Sequence, residues 1–284
     1  MAVNETRREW RTVPAVRDDP RRQSGRPFAT ISVVIPTLNE AANLPHVLTR
    51  IPEIVDEIVI VDGHSIDDTV AVAQAIRPDV RVVLQHGRGK GDALACGFAA
   101  ATGDIIVMLD GDASTDPAEI PAFVAALCAG SDFAKGSRFA TGGASADITT
   151  VRAAGNRLLG ATVNLLFGTR YTDLCYGYNA FWRHCLPYMN IRCSGFEVET
   201  LMHVRIARAG LAVTEVPSVE YERLHGESKL NAARDGARVL RTIVTERLRR
   251  TSRRHADADG WQPAFRELPP SVQSGELRSA AAGG

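Results

Sequence analysis

The sequence lacks any apolar run long enough to span a membrane. Its longest apolar stretches, at residues 105–109 and 158–167, fall well short of the ~20 residues that a spanning helix needs. The sequence also lacks net charge, since 33 Lys and Arg balance 33 Asp and Glu, and this excludes an overall field that attracts nucleic acid. These absences predict a soluble or peripheral protein with no nucleic-acid partner.

The five cysteines are scattered and include no CxxC pair. This pattern argues against a disulfide framework and against a cysteine-based zinc site. It is typical of a reducing compartment, so we expect a cytoplasmic protein.

Both ends of the chain lack hydrophobic periodicity. Residues 1–29 mix arginines with acids and prolines and contain no apolar segment of the signal-peptide type. Residues 251–284 are rich in Ala, Gly, Pro and Ser and also have no period. We therefore expect a disordered leader at 1–29, one domain at 30–250 and a disordered tail at 251–284.

Short β-branched runs alternate with helical patterns through the first half of that domain. Because the runs are apolar at nearly every position, they suit strands covered on both faces. The sequence therefore predicts an α/β fold with a mainly parallel central sheet flanked by helices. The predicted strands lie at 31–36, 57–62, 80–85, 104–110, 132–138, 176–182 and 211–221, and later helices at 152–167, 197–210 and up to about 250.

Carboxylates follow several of these strands, at the edge where open α/β sheets bind ligands. Asp110 and Asp112 flank a glycine, so both can face one hard cation, and Mg²⁺ or Mn²⁺ shares its ligand shell with phosphate oxygens. The pair predicts a metal–diphosphate site, with an Asp-Gly turn as the alternative. Asp62 offers acceptors to a nucleobase or ribose, or else caps a turn. No GxGxxG follows the first strand, which argues against a dinucleotide site.

Four segments together resemble the family-2 glycosyltransferases, which have the nucleotide-diphospho-sugar transferase (GT-A) fold. They are SVVIPTLNEAANL, IVIVDGHSIDDT, GRGKGDALACGFAAATGDIIVMLDGDASTDPAEI and FAKGSRF, within about residues 31–140. Farther along, TDLCYGYNAFW, GFEVETLMHVRIARAGLAVTEVP and RLHGESKLN are similar to the branch that contains dolichyl-phosphate mannose synthase and polyprenyl-phosphate glycosyltransferases. The resemblance implies a nucleotide-sugar half at 30–140 and an acceptor half at 141–250.

The resemblance also implies roles for individual residues. Pro36, Glu40 and Asp62 are expected to line the nucleotide pocket, whereas Asp110 and Asp112 are expected to hold Mg²⁺ or Mn²⁺ and the diphosphate. Asp112 then takes part in catalysis, because the metal neutralises the leaving group as the glycosidic bond opens. The expected outcome is inversion at the anomeric carbon.

Six cations are candidates for phosphate contacts. Arg88 and Lys90 are expected beside the nucleotide, and four others around an acceptor phosphate: Arg138, Arg152, Arg223 and Lys229. Arginine suits bidentate phosphate binding. The alternative for each cation is a solvated surface charge, and only the match of the RLHGESK segment favours Arg223 and Lys229 over it.

The need for a general base depends on the acceptor. A phosphate acceptor is already ionised, whereas an alcohol must lose a proton to a carboxylate. Asp173, Glu197 and Glu199 are the candidate bases. Glu197 and Glu199 stand two apart on a predicted helix, so we expect them on different faces. Their alternative role is stabilisation of the helix N-terminus, and Asp173 alternatively caps a turn.

The final helix is basic. Around residues 236–254 it places Val239, Ile243 and Leu248 among arginines, a composition that suits an anionic membrane surface. The alternative is a core-facing helix with a solvated basic face.

We therefore expect an inverting transferase that moves a hexose from a UDP- or GDP-sugar to a polyprenyl phosphate at the cytoplasmic face of a membrane. One alternative is transfer to a soluble hydroxyl acceptor, such as a secondary metabolite or a saccharide. The other is a non-catalytic nucleotide-sugar-binding protein. The sequence predicts no oligomeric state.

Overall fold

A computed structural model describes residues 29–226, 231–249 and 265–269. The strands are β1 (Ile31–Thr37), β2 (Glu57–Asp62), β3 (Arg81–Gln85), β4 (Ile105–Met108), β5 (Phe133–Ser137), β6 (Ala144–Ser145), β7 (Asn179–Trp182), β8 (Val213–Pro217), β9 (Val219–Glu220) and β10 (Phe265–Glu267). The helices are α1 (Leu44–Leu48), α2 (Thr69–Ile76), α3 (Lys90–Ala100), α4 (Ile120–Cys128), α5 (Thr150–Phe167), α6 (Leu186–Met189), α7 (Val198–Ala209) and α8 (Ala232–Leu248).

Among the described residues, eight strands form one sheet in the order β10-β3-β2-β1-β4-β7-β5-β8. Strands β3, β2, β1 and β4 pair in parallel, as do β5 and β8, whereas β7 and β10 run antiparallel to their neighbours. A second, two-stranded sheet joins β6 to β9. The predicted α/β fold with a mainly parallel central sheet flanked by helices is confirmed.

Both faces of the sheet are covered, as the continuous apolar runs predict. One face packs against α1, α2 and α4 through residues such as Ile35, Val47 and Phe123. The other face packs against α3, α6 and α7. Helices α5 and α8 add an outer layer over α7, through Val163, Val204 and Ile243.

Helix α4 follows a cap that the sequence shows clearly. The side chain of Asp116 accepts a hydrogen bond from the Ala118 backbone N–H at 2.9 Å, ahead of Pro117. A carboxylate at this place satisfies a backbone donor that the helix leaves unpaired. Arg50 also pairs with Asp116 at 2.6 Å.

The prediction of a disordered tail is wrong for residues 265–269. Strand β10 pairs antiparallel with the edge strand β3, opposite 83–85. Arg81 of β3 donates two hydrogen bonds, of 2.9 and 3.0 Å, to the Glu267 carboxylate. A single three-residue strand carries no periodic signal, so pairing with an available sheet edge decides its conformation. Residues 1–28 of the expected leader at 1–29, and all residues of the expected tail other than 265–269, lie outside the described residues.

Within the described ranges, no helix combines the length and the apolar character that crossing a bilayer requires.

The expected strand at 211–221 is divided into β8 and β9, which belong to different sheets. The expected strand at 176–182 is shorter, because only 179–182 join the ladder. Gly177, which precedes the ladder, instead lies against Asp110 in the loop after β4.

Candidate active site

Three loops that follow neighbouring strands contain residues with a left-handed backbone. Asn39 after β1 has φ 60°, His64 after β2 has φ 66°, and Ala113 after β4 has φ 61°. Non-glycine residues in this region carry a cost of about 1–3 kcal/mol and persist where the surroundings fix them, often at functional sites. Because β1 lies between β2 and β4, the three loops meet at one edge of the sheet.

Asp110 lies at this edge in an ion-pair network with Lys90 and Glu199. The Lys90 Nζ is 2.7 Å from Asp110 Oδ1 and 2.8 Å from Glu199 Oε1. Burial alone would lower the pKa of Lys90, but the charges of Asp110 and Glu199 outweigh it and raise that pKa above its ordinary value. The lysine therefore keeps its charge directly beside Asp110. Of the two carboxylates that pair with Lys90, Asp110 is the more exposed.

Asp112 lies at the centre of a second network. Its Oδ1 accepts hydrogen bonds from the Ser114 N–H and hydroxyl, at 3.0 and 2.7 Å. Its Oδ2 pairs with Arg223 Nη2 at 2.5 Å, and Arg223 Nη1 lies 3.5 Å from Glu40 Oε1. Arg223 comes from the segment after β9, so the fold brings a cation from the acceptor half to the predicted metal site.

The donor set at Asp110 and Asp112 fits a hard divalent cation. Among the described residues no group of three or more His, Cys, Asp or Glu side chains is placed to hold a metal by itself. Proteins nevertheless commonly bind Mg²⁺ through only one or two carboxylates, and phosphate oxygens and waters complete its ligand shell. Each carboxylate has lone pairs beyond those its present partners use. Asp110 and Asp112 would hold such an ion together with the donor diphosphate.

Gly177 contributes to the site, although it is not among the residues predicted from the sequence. A Cβ at this position would lie 2.6 Å from Asp110 Oδ2 and 2.9 Å from Lys90 Nζ. Contacts under 3.0 Å essentially never occur at real Cβ atoms, so a larger residue here would require the ends of the Asp110 and Lys90 side chains to shift. The available signal was a glycine between two tyrosines in a strand-like segment, which indicates close backbone approach.

Residues expected at the nucleotide side lie at the same edge. Pro36 is half-buried in β1 opposite Val61. Asp62 ends β2, is almost fully buried, and accepts a hydrogen bond from the Ser65 N–H at 3.1 Å. The turn contact expected as the alternative role of Asp62 is therefore present. A contact between Asp62 and the nucleotide stays a prediction.

Arg138 and Asp173 form a buried ion pair with each other. Arg138 Nε donates to Asp173 Oδ2 at 2.7 Å and Nη2 to Oδ1 at 3.0 Å, while Nη1 pairs with Glu220 at 3.0 Å. The side chains of Arg138 and Asp173 are 3% and 0% exposed. Burial would raise the pKa of Asp173, but hydrogen bonds and charge from Arg138 outweigh it and hold that pKa below its usual value.

This geometry argues against two expectations. Arg138 was expected at the acceptor phosphate, but two carboxylates and the Cys175 carbonyl occupy its N–H donors. Asp173 was a candidate base, yet it is shielded from solvent and also accepts a hydrogen bond from Asn156 Nδ2 at 2.8 Å. Both residues connect α5, β5 and the 172–176 segment. Their charge pattern is visible in the sequence, but their partnership is not.

The remaining candidates are spread over other surfaces. Arg152 pairs with Asp147 at 3.0 Å in the first turn of α5. Lys229 lies outside the described residues. Arg88 and Glu197 line a cavity of about 800 Å³ beside α7 and α8, and neither Asp110 nor Lys90 borders it. The expectation that Glu197 and Glu199 point to different faces holds, because Glu199 contacts Lys90 and Glu197 faces this cavity.

A family model described as glycosyl transferase family 2 matches residues 32–186, which include Lys90, Asp110 and Asp112. The chain belongs to glycosyl transferase family 2.

Relatives in this family share most of the described domain. The glycosyltransferase AglJ of Haloferax volcanii is 31% identical over 213 residues, which cover 74% of this chain and 69% of that protein. The polyprenol monophosphomannose synthase of Mycolicibacterium smegmatis is 31% identical over 224 residues, covering 73% and 83%. These likenesses confirm the resemblance to the polyprenyl-phosphate glycosyltransferase branch.

A solved structure supports the same fold. Glucosyl-3-phosphoglycerate synthase from Mycobacterium tuberculosis, crystallised with Mn²⁺, UDP and glucosyl-3-phosphoglycerate, superimposes with a TM-score of 0.62 at 28% identity. The match covers 79% of this chain and 82% of that one. This chain therefore has the GT-A fold, as predicted.

Proposed function

We propose that this glycosyltransferase moves a hexose from a UDP- or GDP-sugar to a polyprenyl phosphate, with inversion at the anomeric carbon. The observation that supports this choice of acceptor is the pairing and position of the candidate bases. Asp173 is neutralised by Arg138 and Glu199 is paired with Lys90. Glu197, the third candidate, lines a cavity that neither Asp110 nor Asp112 borders. An alcohol needs a free carboxylate to take its proton, whereas a phosphate monoester arrives ionised and needs none. The activities named for the polyprenol relative support the same acceptor.

The donor side of the reaction uses Asp110, Asp112 and Lys90. When a divalent cation is bound there, it supplies charge neutralisation to the leaving diphosphate. Lys90 holds Asp110 in place and keeps a fixed positive charge near the same oxygens, so it stabilises the charge that develops on bond cleavage. Glu199 orients Lys90 from the other side.

The acceptor side uses Arg223. Its pairs with Asp112 and Glu40 hold a guanidinium within reach of both the diphosphate and an incoming anion. Arginine binds phosphate oxygens with two parallel hydrogen bonds. Arg223 thus attracts the acceptor phosphate and orients its attacking oxygen, and Lys229 is expected to add a second charge from the same segment.

We further propose a peripheral contact with an anionic membrane, which is where a polyprenyl phosphate resides. Helices α5 and α8 pack side by side and expose large apolar side chains: Val151, Leu158, Leu165, Leu240, Val244 and Leu248. Helix α5 contains no acid, and the two acids of α8, Asp235 and Glu246, are buried. The exposed charges of both helices are therefore arginines, and anionic lipid attracts such a surface. Val239 and Ile243 face the core instead.

The acceptor assignment is tested with polyprenyl phosphate and the polyprenol of the same chain length. Purified protein is incubated with Mn²⁺ and radiolabelled UDP- and GDP-sugars, and label is counted in the organic phase. The proposal predicts label with the phosphate and none with the alcohol. Transfer to polyprenol, or to a soluble alcohol alone, contradicts it.

A further inference from the structure

A cavity of about 800 Å³ lies between the turn before α3, the 192–197 segment, α7 and α8. Its volume is within the range of small-molecule sites. The residues that line it include neither Asp110 nor Asp112. It is therefore separate from the two networks of the candidate active site.

The wall of this cavity carries a marked excess of positive charge. Six arginines and only three acids line it; the arginines are Arg88, Arg192, Arg205, Arg238, Arg241 and Arg249. We call this the arginine cavity. Asp92 is engaged by the Gly87 N–H at 2.8 Å, and Glu246 is surrounded by arginines, including Arg205 at 2.7 Å. Even when all three acids are counted, three arginines remain in excess.

The cations that are left over face a shared space. Arg88 and Arg241 form no ion pair within the described residues, and Arg192 donates only to the neutral Asn190 Oδ1 at 3.0 Å. Arg238 has a single, long contact of 3.6 Å with Asp235. An anion bound among several arginines reduces the repulsion between them. Thr242, Thr245 and Ser194 place hydroxyl groups on the same wall, and arginines with hydroxyls are the usual donors to phosphate.

One acceptor also lines the arginine cavity. Glu197 Oε2 is buried and has no hydrogen-bond partner among the described residues. Its other oxygen accepts a weak bond from the Gly195 N–H at 3.3 Å. A buried carboxylate oxygen without a donor is rare and requires an explanation. A ligand hydroxyl beside the phosphate group would donate to it.

We propose that the arginine cavity binds a phosphorylated ligand with a hydroxyl group close to the phosphate. The phosphate lies among Arg192, Arg238 and Arg241, and the hydroxyl donates to Glu197. Glycerol phosphate has this chemistry, both as a free ester and as a phospholipid headgroup. The site is a second one, beside the donor site and independent of it.

Calorimetry on the full chain tests this inference with two probes. Glycerol 3-phosphate represents the free ester, and monomeric dihexanoyl-phosphatidylglycerol represents the lipid headgroup. Binding of either probe supports the site and identifies the source of the ligand. If neither binds, the inference is wrong.

Variants of α8 distinguish binding in the arginine cavity from non-specific attraction of the probe to a basic helix. Arg238→Gln with Arg241→Gln removes two cavity cations, and Arg234→Gln with Arg247→Gln removes two cations of the same helix that do not line the cavity. We expect at least a tenfold loss of probe affinity in the first variant, because charge-assisted hydrogen bonds are lost, and less than about a twofold loss in the second. Equal losses in both overturn the inference.

Two further readouts test the ligand chemistry and the separation from the donor site. Glu197→Ala is expected to remove the preference for glycerol 3-phosphate over inorganic phosphate, and an unchanged preference contradicts the role given to Glu197. UDP or GDP with Mn²⁺ is expected to bind the probe-saturated protein with unchanged affinity. Displacement of the probe by the nucleotide would make the cavity part of the donor site and refute a second site.

Discussion

Neutralising Asp173 is expected to destabilise the fold. In wild type its carboxylate accepts two hydrogen bonds from the Arg138 side chain, one from the Arg138 backbone N–H and one from Asn156. Breaking a buried ion pair costs about 3–5 kcal/mol, because the remaining charge stays buried. Glu220 still pairs with Arg138 in the variant, so we expect the lower end for Asp173→Asn, about 3 kcal/mol. This is a large part of a typical stability of about 5–15 kcal/mol.

The matched control is Asp147→Asn. Asp147 also pairs with an arginine at 3.0 Å, but its side chain is 38% exposed, and exposed ion pairs contribute about 0–1 kcal/mol. Urea unfolding of the two variants and wild type gives the free energies of unfolding. If Asp173 were instead a general base, Asp173→Asn would be as stable as Asp147→Asn but would lose sugar transfer. That result would refute the structural role of Asp173.

Three further predictions follow from other parts of the structure. Gly177→Ala should lower the transfer rate at least tenfold while the Tm changes little, because a Cβ displaces Asp110; an unchanged rate in the transfer assay contradicts this. Burial, with the charge of Lys135, lowers the pKa of His203 well below its ordinary value, so the unfolded state takes up a proton below pH ~6.5 that the folded state does not. Stability should fall by up to about 1.4 kcal/mol per pH unit below that value, and urea unfolding of His203→Gln should lack this part of the slope. Leu158→Glu with Leu248→Glu should weaken sedimentation with anionic vesicles, and equal binding by variant and wild type would refute the membrane surface.

The sequence predicted the parts of the fold that depend on local patterns. The strand at 57–62 and the helix after Asp116 follow from short-range apolar periodicity and capping, and both are present. Asp110 and Asp112 were predicted together because two residues in one loop cannot lie far apart. Their position at the sheet edge follows from the rule that ligands bind at the carboxyl ends of strands.

Partnerships between distant residues could not be predicted in this way. Arg138 and Asp173 are 35 residues apart, and a sequence shows their charges but not that each neutralises the other. The arginine cavity combines side chains from four separate segments, so no local motif marks it. Strand β10 lacks periodicity and depends on the edge of β3, which only the assembled sheet provides.

The metal–diphosphate site is tested most directly by the transfer of radiolabelled hexose to polyprenyl phosphate by wild type, Asp110→Asn and Asp112→Asn, with Mn²⁺ and with chelator. We predict label in the organic phase for wild type with Mn²⁺, and at least about a hundredfold less for either variant or with chelator, because charge on the leaving diphosphate is no longer neutralised. Transfer by both variants at the wild-type rate would contradict the assignment of Asp110 and Asp112 as the metal–diphosphate site.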